Sequence, residues 1–184
     1  MKTTIHVLAA MVILSTGCQT FMPAFTRTQP EYEELPVETL KESALEIERA
    51  IQDGTVPELS NKPNVILEAS PIQQAINTRV SRIELVNELL DKGFAWERRN
   101  GHLYIIRDRD YKEATTRRER DRNALIVTGE WDDRWMLYEQ LRKVNDFPPK
   151  TLTAIQRIFH EARVEVMKPG QLYENIDGDP VPKQ

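Results

Sequence analysis

Few side chains in this 184-residue sequence could carry out covalent or metal chemistry. The chain has one Cys, Cys18, and three His, which are His6, His102 and His160. A single Cys excludes an intramolecular disulfide, a zinc cluster built from thiolates and a two-cysteine redox motif. His160-Glu161 lacks the second His that a zinc-protease helix carries four residues after the first. The sequence therefore predicts no metal site and no cofactor.

Hydroxyl and carboxyl groups form no recognisable catalytic motif either. No G-x-S-x-G elbow is present. Asp132 and Asp133 are adjacent, so they point to different faces of a helix and make poor acid and base partners. Asp177-Gly178-Asp179 favours a turn over a calcium loop, because no Glu follows to complete the ligand set. We expect no enzyme activity; the alternative is a hydrolase with an unrecognised site.

The only Cys has a different chemical role, at the end of an export signal. Residues 1–30 contain no Asp or Glu, Lys2 precedes an apolar run at 7–14, and small residues lead to Cys18. This pattern is typical of a secretory signal, and the run is shorter than the roughly 17–25 apolar residues of a membrane span. We predict a signal peptide at residues 1–17.

Ser15-Thr16-Gly17-Cys18 resembles a bacterial lipobox, although Ser15 takes the place that Leu usually holds. The resemblance implies a lipoprotein in which Cys18 becomes the first residue and carries fatty acyl chains such as palmitate, which anchor the protein to a membrane. Because Gln19 and not Asp follows, the same resemblance implies the outer membrane, with the protein facing the periplasm. The alternative is a plain signal peptide with an incidental Cys.

Composition and charge exclude one further class of partner. Hydrophobic residues make up 40% of the chain and charged residues 29%, and the net charge is -4. Basic residues are dense at 107–122, but acidic residues alternate with them, so much of the local field cancels. We predict no binding to nucleic acid.

The spacing of apolar residues predicts a mainly α fold of the α+β class, with about four helices and one or two β-hairpins. Residues 18–36 are rich in Pro and form a tether, and residues 37–184 form one helical domain. Asn100-Gly101 between two aromatic runs predicts a hairpin, and a second could form at 171–182. A short strand could form at 65–67. The predicted helices span residues 37–51, 71–90, 111–143 and 150–166, with Gly129 kinking or splitting the third.

Aromatic residues mark a candidate binding surface. Trp131, Trp135 and Tyr138 recur at helical spacing in the third helix, and Trp96 lies in the predicted hairpin. Such a stripe is more often core than ligand site, but it becomes a docking surface wherever a small fold leaves it exposed. The sequence leaves both interpretations open for these four residues.

Residues 80–182 resemble the YdbL family of small exported bacterial proteins. The shared pattern is a helix ending in Gly, an Asn-Gly turn, an acidic helix segment with Asp-Arg, and a Pro-Gly-x-aromatic ending. The segments that carry it are Leu90-Asp91-Lys92-Gly93-Phe94, Asn100-Gly101-His102-Leu103, Glu130-Trp131-Asp132-Asp133-Arg134 and Pro169-Gly170-Gln171-Leu172-Tyr173. The segment 94–107 is longer and more aromatic than in that family.

The resemblance implies a non-enzymatic accessory role in the envelope and brings no catalytic residues. It implies a protein partner of the large AsmA-like class and a part in outer-membrane lipid homeostasis. We therefore expect a lipid-anchored envelope protein that binds another envelope protein. The remaining alternatives are the hydrolase, whose site would join His102, His160 and a carboxylate, and a lipoprotein that binds lipid in an apolar cavity.

Overall fold

The computed structural model describes residues 31–184, and the predicted signal peptide, Cys18 and most of the predicted tether lie outside them. The described chain is mainly α-helical with a small four-stranded sheet, which confirms the predicted fold class. Its helices are α1 (Val37–Gln52), α2 (Ser70–Asp91), α3 (Arg109–Ala114), α4 (Arg117–Val144) and α5 (Leu152–Val166). Its strands are β1 (Ala95–Glu97), β2 (Leu103–Ile105), β3 (Leu172–Glu174) and β4 (Pro180–Pro182).

Glycine ends α2 and starts the turn into the sheet. Gly93 has a φ of +66°, a conformation that glycine adopts without steric cost. Its N–H bonds to the carbonyl of Leu90, and the Phe94 N–H bonds to the carbonyl of Leu89. This is the Schellman arrangement, which satisfies the last carbonyls of a helix. The chain then leaves α2 directly into β1.

The predicted third helix is wrong in one respect, because the structure divides it at Thr115 and Thr116 and not at Gly129. Thr115 has an extended backbone, and Thr116 opens α4 with a capping box in which Thr116 and Glu119 satisfy each other's backbone N–H groups. Such a box fixes a new helix start. Gly129 lies within continuous α4, where an added Cβ would meet the Arg82 guanidinium at 3.3 Å.

Two hairpins meet in one sheet, in the order β2-β1-β3-β4. The β1–β2 and β3–β4 pairs are antiparallel, whereas β1 and β3 run parallel with Trp96 opposite Leu172. Gly101 turns the first hairpin with a φ of +80°. A parallel pair needs a long crossover, and here the three helices from α3 to α5 supply it. The sheet thus joins residues far apart in sequence.

The predicted strand at 65–67 does not form. Val65 makes one isolated bridge, to Lys62. The Asn145 side chain takes the place of a strand partner, because its Oδ1 accepts from the Ile66 N–H at 2.6 Å and its Nδ2 donates to the Ile66 carbonyl at 3.1 Å. Val65 and Leu67 are buried on either side of exposed Ile66. The segment is extended, but it is paired by a side chain.

The core lies where α2 packs on α4, α1 packs on α5, and the sheet covers α4. Its fully buried apolar side chains include Leu40, Ile47, Ile76, Leu137 and Phe159. Among the described residues, no helix is long and apolar enough to cross a membrane.

The last residues of the predicted tether lie against this core. Leu35 is buried, and Tyr32 packs on the apolar cluster. Lys150 holds the same segment from outside, with its Nζ 2.9 Å from a Glu31 carboxylate oxygen and 2.8 Å from one of Glu34. Packing therefore begins before the first helix.

Candidate binding surfaces and the buried ionic network

Helix α4 presents two different faces. Glu130, Arg134, Leu137 and Leu141 recur at steps of three and four, and all are buried. Trp131 and Trp135 each follow a buried residue by one position, and both are partly exposed. One residue turns an α-helix by about 100°, which is enough to move a side chain from the interior to the surface.

Six charged side chains, each at most 2% exposed, form a network behind α4. The partly exposed Arg82 joins it from the surface side, with its Nη1 3.3 Å from Glu130 Oε2. The network contains Glu48 of α1, Arg79 of α2, Glu97 of β1, Glu130 and Arg134 of α4, and Arg163 of α5. Three carboxylates thus face three guanidinium groups, so the charges balance. Helix α4 contributes two of these residues, and each of the other elements contributes one.

Bidentate pairs form the core of this network. Arg79 places Nη1 and Nη2 at 2.7 and 2.9 Å from the two carboxylate oxygens of Glu48. Arg134 does the same to Glu97, at 2.6 and 2.9 Å. Glu130 joins the two pairs, because its Oε1 accepts from Arg79 Nε at 2.9 Å and from Arg134 Nε at 2.7 Å. Planar guanidinium groups suit this geometry better than ammonium groups do.

Arg163 is the least satisfied member. Its Nε lies 3.3 Å from Glu97 Oε1 and its Nη1 lies 3.5 Å from Glu48 Oε2. Neither Nη1 nor Nη2 has a hydrogen-bond partner of acceptable geometry. Arg163 therefore contributes charge to the network more than directed hydrogen bonds.

The network keeps Glu97 and Glu130 ionised. Burial alone would raise the pKa of Glu97, but the opposing charge and hydrogen bonds of Arg134 prevail and lower it to about 2. Burial likewise acts to raise the pKa of Glu130, whereas Arg79 and Arg134 lower it to about 2. Because the groups are sealed from solvent, no substrate can reach them. We interpret the network as structural.

An aromatic surface lies on the other face of α4. We call His102, Trp131, Trp135 and Met136 the aromatic ridge. Trp131 and Trp135 are 36% and 42% exposed, and their ring centroids lie 6.4 Å apart. The Trp131 indole N–H donates to His102 Nε2, and the two rings meet edge to face at 5.1 Å. Burial, followed by the charges of Arg134 and Arg98, lowers the pKa of His102, which favours this neutral acceptor form.

The four aromatic candidates, the three of the predicted stripe and Trp96 of the hairpin, occupy different environments. Tyr138 is buried against the Phe159 ring, at a centroid distance of 5.1 Å. Trp96 is half-buried in the sheet, edge-on to Tyr104, with the Arg98 guanidinium above both rings. Tyr138 is thus core, whereas Trp131 and Trp135 are surface. The structure brings His102, which was considered only as a catalytic or metal candidate, to the exposed group.

The candidate hydrolase residues lie in different surroundings. His102 contacts Trp131 at the hairpin, whereas His160 is buried on α5 and lines a cleft with Tyr173 and Glu174. The residues that line this cleft do not include His102. Burial lowers the pKa of His160 to about 4. The two His side chains therefore do not share one polar pocket there.

No group of His, Cys, Asp and Glu that could hold a metal ion occurs within residues 31–184. The Asp177-Gly178-Asp179 segment is a turn closed by Asn175. The Oδ1 of Asn175 accepts from the backbone N–H groups of Asp177 and Asp179, each at 2.9 Å. This amide therefore organises the end of the second hairpin.

Comparison with known proteins assigns no family to this chain. No protein-family model matches it, and neither a curated protein nor a solved structure does. Function is therefore inferred from the residues of the chain and the surfaces that they form.

Proposed function

We propose that this protein is a non-enzymatic, lipid-anchored accessory protein of the bacterial cell envelope that binds another envelope protein through the aromatic ridge. The observation that carries the proposal is the exposure of Trp131 and Trp135 on successive turns of α4, with the exposed Met136 next to Trp135 in sequence. Contiguous apolar surface on a small soluble fold marks an interaction site more often than chance. Trp is also enriched among the residues that dominate binding energy.

The ridge is well prepared for binding because its base is rigid. Glu130 and Arg134 precede the two Trp residues directly, and both are fixed in the buried network. His102 holds Trp131 from the side. Side chains that are ordered before binding lose less conformational entropy when a partner covers them. A stable interface buries roughly 800 Å² on each partner. The ridge would form the centre of such an interface.

Lipidation of Cys18 would hold the protein at the membrane. Attached acyl chains contribute ~0.8 kcal/mol for each buried CH₂, so two or more give durable anchoring. Residues 19–30 could span roughly 40 Å when extended. The aromatic ridge would then be confined to a thin layer beside the outer membrane. Such confinement raises the effective concentration of any partner in the same layer.

The resemblance of residues 80–182 to the YdbL family makes a large AsmA-like envelope protein the first partner to test. A role in outer-membrane lipid homeostasis follows from that resemblance. The chemistry of the ridge calls for an apolar partner surface with space for two indole rings. An indole pair also tolerates a partly polar rim, because each ring combines a broad apolar face with one N–H donor.

Affinity capture from chemically crosslinked envelopes tests the proposal. Native protein should recover one envelope protein reproducibly, identified by mass spectrometry, and Trp131→Gln with Trp135→Gln should lose it. Leu125→Gln is the matched control, because Leu125 is a 75%-exposed apolar residue of the same helix outside the ridge. Equal recovery by the ridge variant and the control would contradict the proposed interface.

Anchoring is tested separately by labelling cells with a radioactive fatty acid. The native chain should incorporate label and partition into membranes, whereas Cys18→Ala should do neither. Label on the Cys18→Ala chain, or none on the native chain, would refute lipidation.

A further inference from the structure

A second concave surface lies away from the aromatic ridge, between α5 and the β3–β4 hairpin. It is a cleft of about 300 Å³, at the lower end of the range for small-molecule sites. Arg99, Arg157 and His160 contribute nitrogen atoms to its lining. Apolar surface comes from Val164, Tyr173 and Ile176. The cleft thus combines a cationic part with an apolar part.

Its two guanidinium groups differ from those of the buried network. Within residues 31–184, neither Arg99 nor Arg157 has a carboxylate within 4 Å, whereas Arg79, Arg134 and Arg163 all do. Arg99 donates from Nη1 to the backbone carbonyl of Ile176 at 2.9 Å, which fixes its direction without neutralising it. Two guanidinium groups without carboxylate partners, one of them held in direction, favour an anionic ligand.

The carboxylates of the lining do not remove this preference. Glu174 is committed elsewhere, because its Oε2 accepts from the backbone N–H of Arg99 at 2.8 Å and lies 3.6 Å from Arg98 Nε. Glu161 lies four residues after Arg157 on α5, yet the two side chains form no ion pair. Solvent-exposed Glu161 is free to turn away from an entering anion.

Polar atoms at the floor of the cleft lack partners. His160 is 6% exposed, and its Nε2 has no hydrogen-bond partner in the described chain. The Nε of Arg157 is also buried without a partner. Unsatisfied buried groups are rare in native proteins and call for an explanation. Because burial lowers the pKa of His160 to about 4, the ring is neutral near pH 7 and can donate one N–H to an acceptor.

We infer that this cleft binds a small anionic amphiphile, with its carboxylate or phosphate head between Arg99, Arg157 and His160 and its short apolar chain against Val164, Tyr173 and Ile176. A fatty acid and a lipid phosphate headgroup both present this chemistry. The apolar lining distinguishes such a ligand from a free inorganic anion, because burial of each CH₂ can tighten binding up to about fourfold.

Ring NMR of His160 provides a direct readout, with His102 as an internal control. The probes are octanoate and octyl phosphate, added below their micelle concentrations to the full chain carrying Cys18→Ala, so that no attached acyl chain competes. We expect the His160 signals to shift saturably while those of His102 stay fixed. Arg157→Gln should weaken binding about tenfold or more, as loss of a charged hydrogen bond does. Arg118→Gln, which removes an exposed Arg without a carboxylate partner, should leave binding unchanged.

The different probes and variants distinguish the possible head groups and show which part of the inference fails. Binding of octanoate alone assigns a carboxylate ligand, and binding of octyl phosphate alone assigns a phosphate ligand. Octanol binding as tightly as octanoate would refute recognition of the anion. Inorganic phosphate binding as tightly as octyl phosphate, or unchanged affinity in Ile176→Ser, would refute the apolar subsite. No shift at His160 with either probe, or full affinity in Arg157→Gln, would overturn the inference.

Discussion

The two faces of α4 reverse the usual distribution of charge and apolar surface. Glu130 and Arg134 are charged, yet they are buried, whereas Trp131 and Trp135 are aromatic, yet they are exposed. Glu130 and Trp131 are neighbours in sequence, and so are Arg134 and Trp135. The comparison shows that residue type alone does not decide burial in this protein. What decides it is which residues of the other elements arrive at each face.

The buried face links elements that also pack through the apolar core. Its carboxylates and guanidinium groups come from four helices and the central strand β1. Such a buried network adds little stability relative to apolar residues of the same volume. Removing one member, however, leaves an uncompensated charge inside the protein. We expect the network to select one arrangement of the helices and the sheet, and the exposed face to be available for binding.

Loss of Arg134 should have the largest effect on stability. Arg134→Met leaves Glu97 with only Arg163, at 3.3 Å, and removes one of the three guanidinium groups that reach Glu130, so we expect the free energy of unfolding to fall by about 3–5 kcal/mol. Urea denaturation measures it. Arg109→Gln is the control, because it removes one partner of the exposed Arg109–Glu113 pair and should cost less than about 1 kcal/mol. Equal losses in the two variants would show that the network has no special role.

The pH dependence of the unfolding free energy should distinguish the contribution of His160 from that of the network. The pKa of His160 is about 4 in the folded protein and 6.5 when unfolded. The unfolded chain therefore binds more protons between these values, so stability is complete above pH 6.5 and is lost as the pH falls to about 4. The slope should reach about 1.4 kcal/mol per pH unit. The charges that face His160 are those of Glu97, Arg99, Arg134 and Glu174.

His160→Gln should flatten the unfolding free energy between pH 6.5 and 4.5. The network carboxylates cannot replace this slope, because the pKa of Glu97 and Glu130 is lowered from 4.5 to about 2. Their contribution is complete above pH 4.5 and is lost only as the pH falls towards 2. An unchanged slope in His160→Gln would assign the acid sensitivity to other groups.

The first hairpin should be sensitive where it touches the buried face. Gly101 has a positive φ, its carbonyl accepts from Arg134 at 3.1 Å, and an added Cβ would lie 3.0 Å from the Tyr138 ring. Gly101→Ala should therefore lower the free energy of unfolding by about 2 kcal/mol through strain and crowding. Gly93→Ala carries similar strain without a neighbour within 4 Å. The difference in unfolding free energy between the two variants, measured by thermal or urea denaturation, isolates the contact with Tyr138. Equal losses in the two variants would show that this contact has no effect.

Substitution on the aromatic ridge should have the smallest effect on stability. Trp135→Gln should cost about 1 kcal/mol, because much of the side chain is already in water. Leu125→Gln, on the same helix, should change the free energy of unfolding by less than about 0.5 kcal/mol. Calorimetry of both variants checks the order. A loss in Trp135→Gln equal to that in Arg134→Met would place Trp135 in the core.

Local signals in the sequence predicted much of the fold. Gly93 and the Asn100-Gly101 pair mark a helix end and a turn that the structure contains. The division between α3 and α4 was missed although Thr116 and Glu119 have the spacing of a capping box. The sequence predicts a kink or a break at Gly129 because glycine weakens helices. In the structure its small size matters more, because Arg82 approaches there.

The buried network could be predicted only in part. Arg79 interrupts the apolar stripe of α2, three residues after Ile76 and four before Ile83, and this is a signal of a buried charge. Its partners, Glu48 on α1 and Glu130 on α4, depend on tertiary packing, which no local pattern encodes. The exposure of Trp131 and Trp135 likewise depends on tertiary packing. Trp131 and Tyr138 lie seven residues apart and so point in nearly the same direction from α4. Gly101 and the Phe159 ring cover Tyr138, whereas His102 leaves Trp131 36% exposed.

Site-specific photo-crosslinking in living cells tests the central claim, that the exposed face of α4 binds an envelope protein. A photoreactive phenylalanine derivative replaces Trp135 in one strain and Leu125 in another, within the full lipid-anchored chain. We predict that position 135 yields one discrete adduct with an envelope protein and that position 125 yields none. An adduct of equal yield at position 125, or none at position 135 in a correctly folded chain, would contradict the claim.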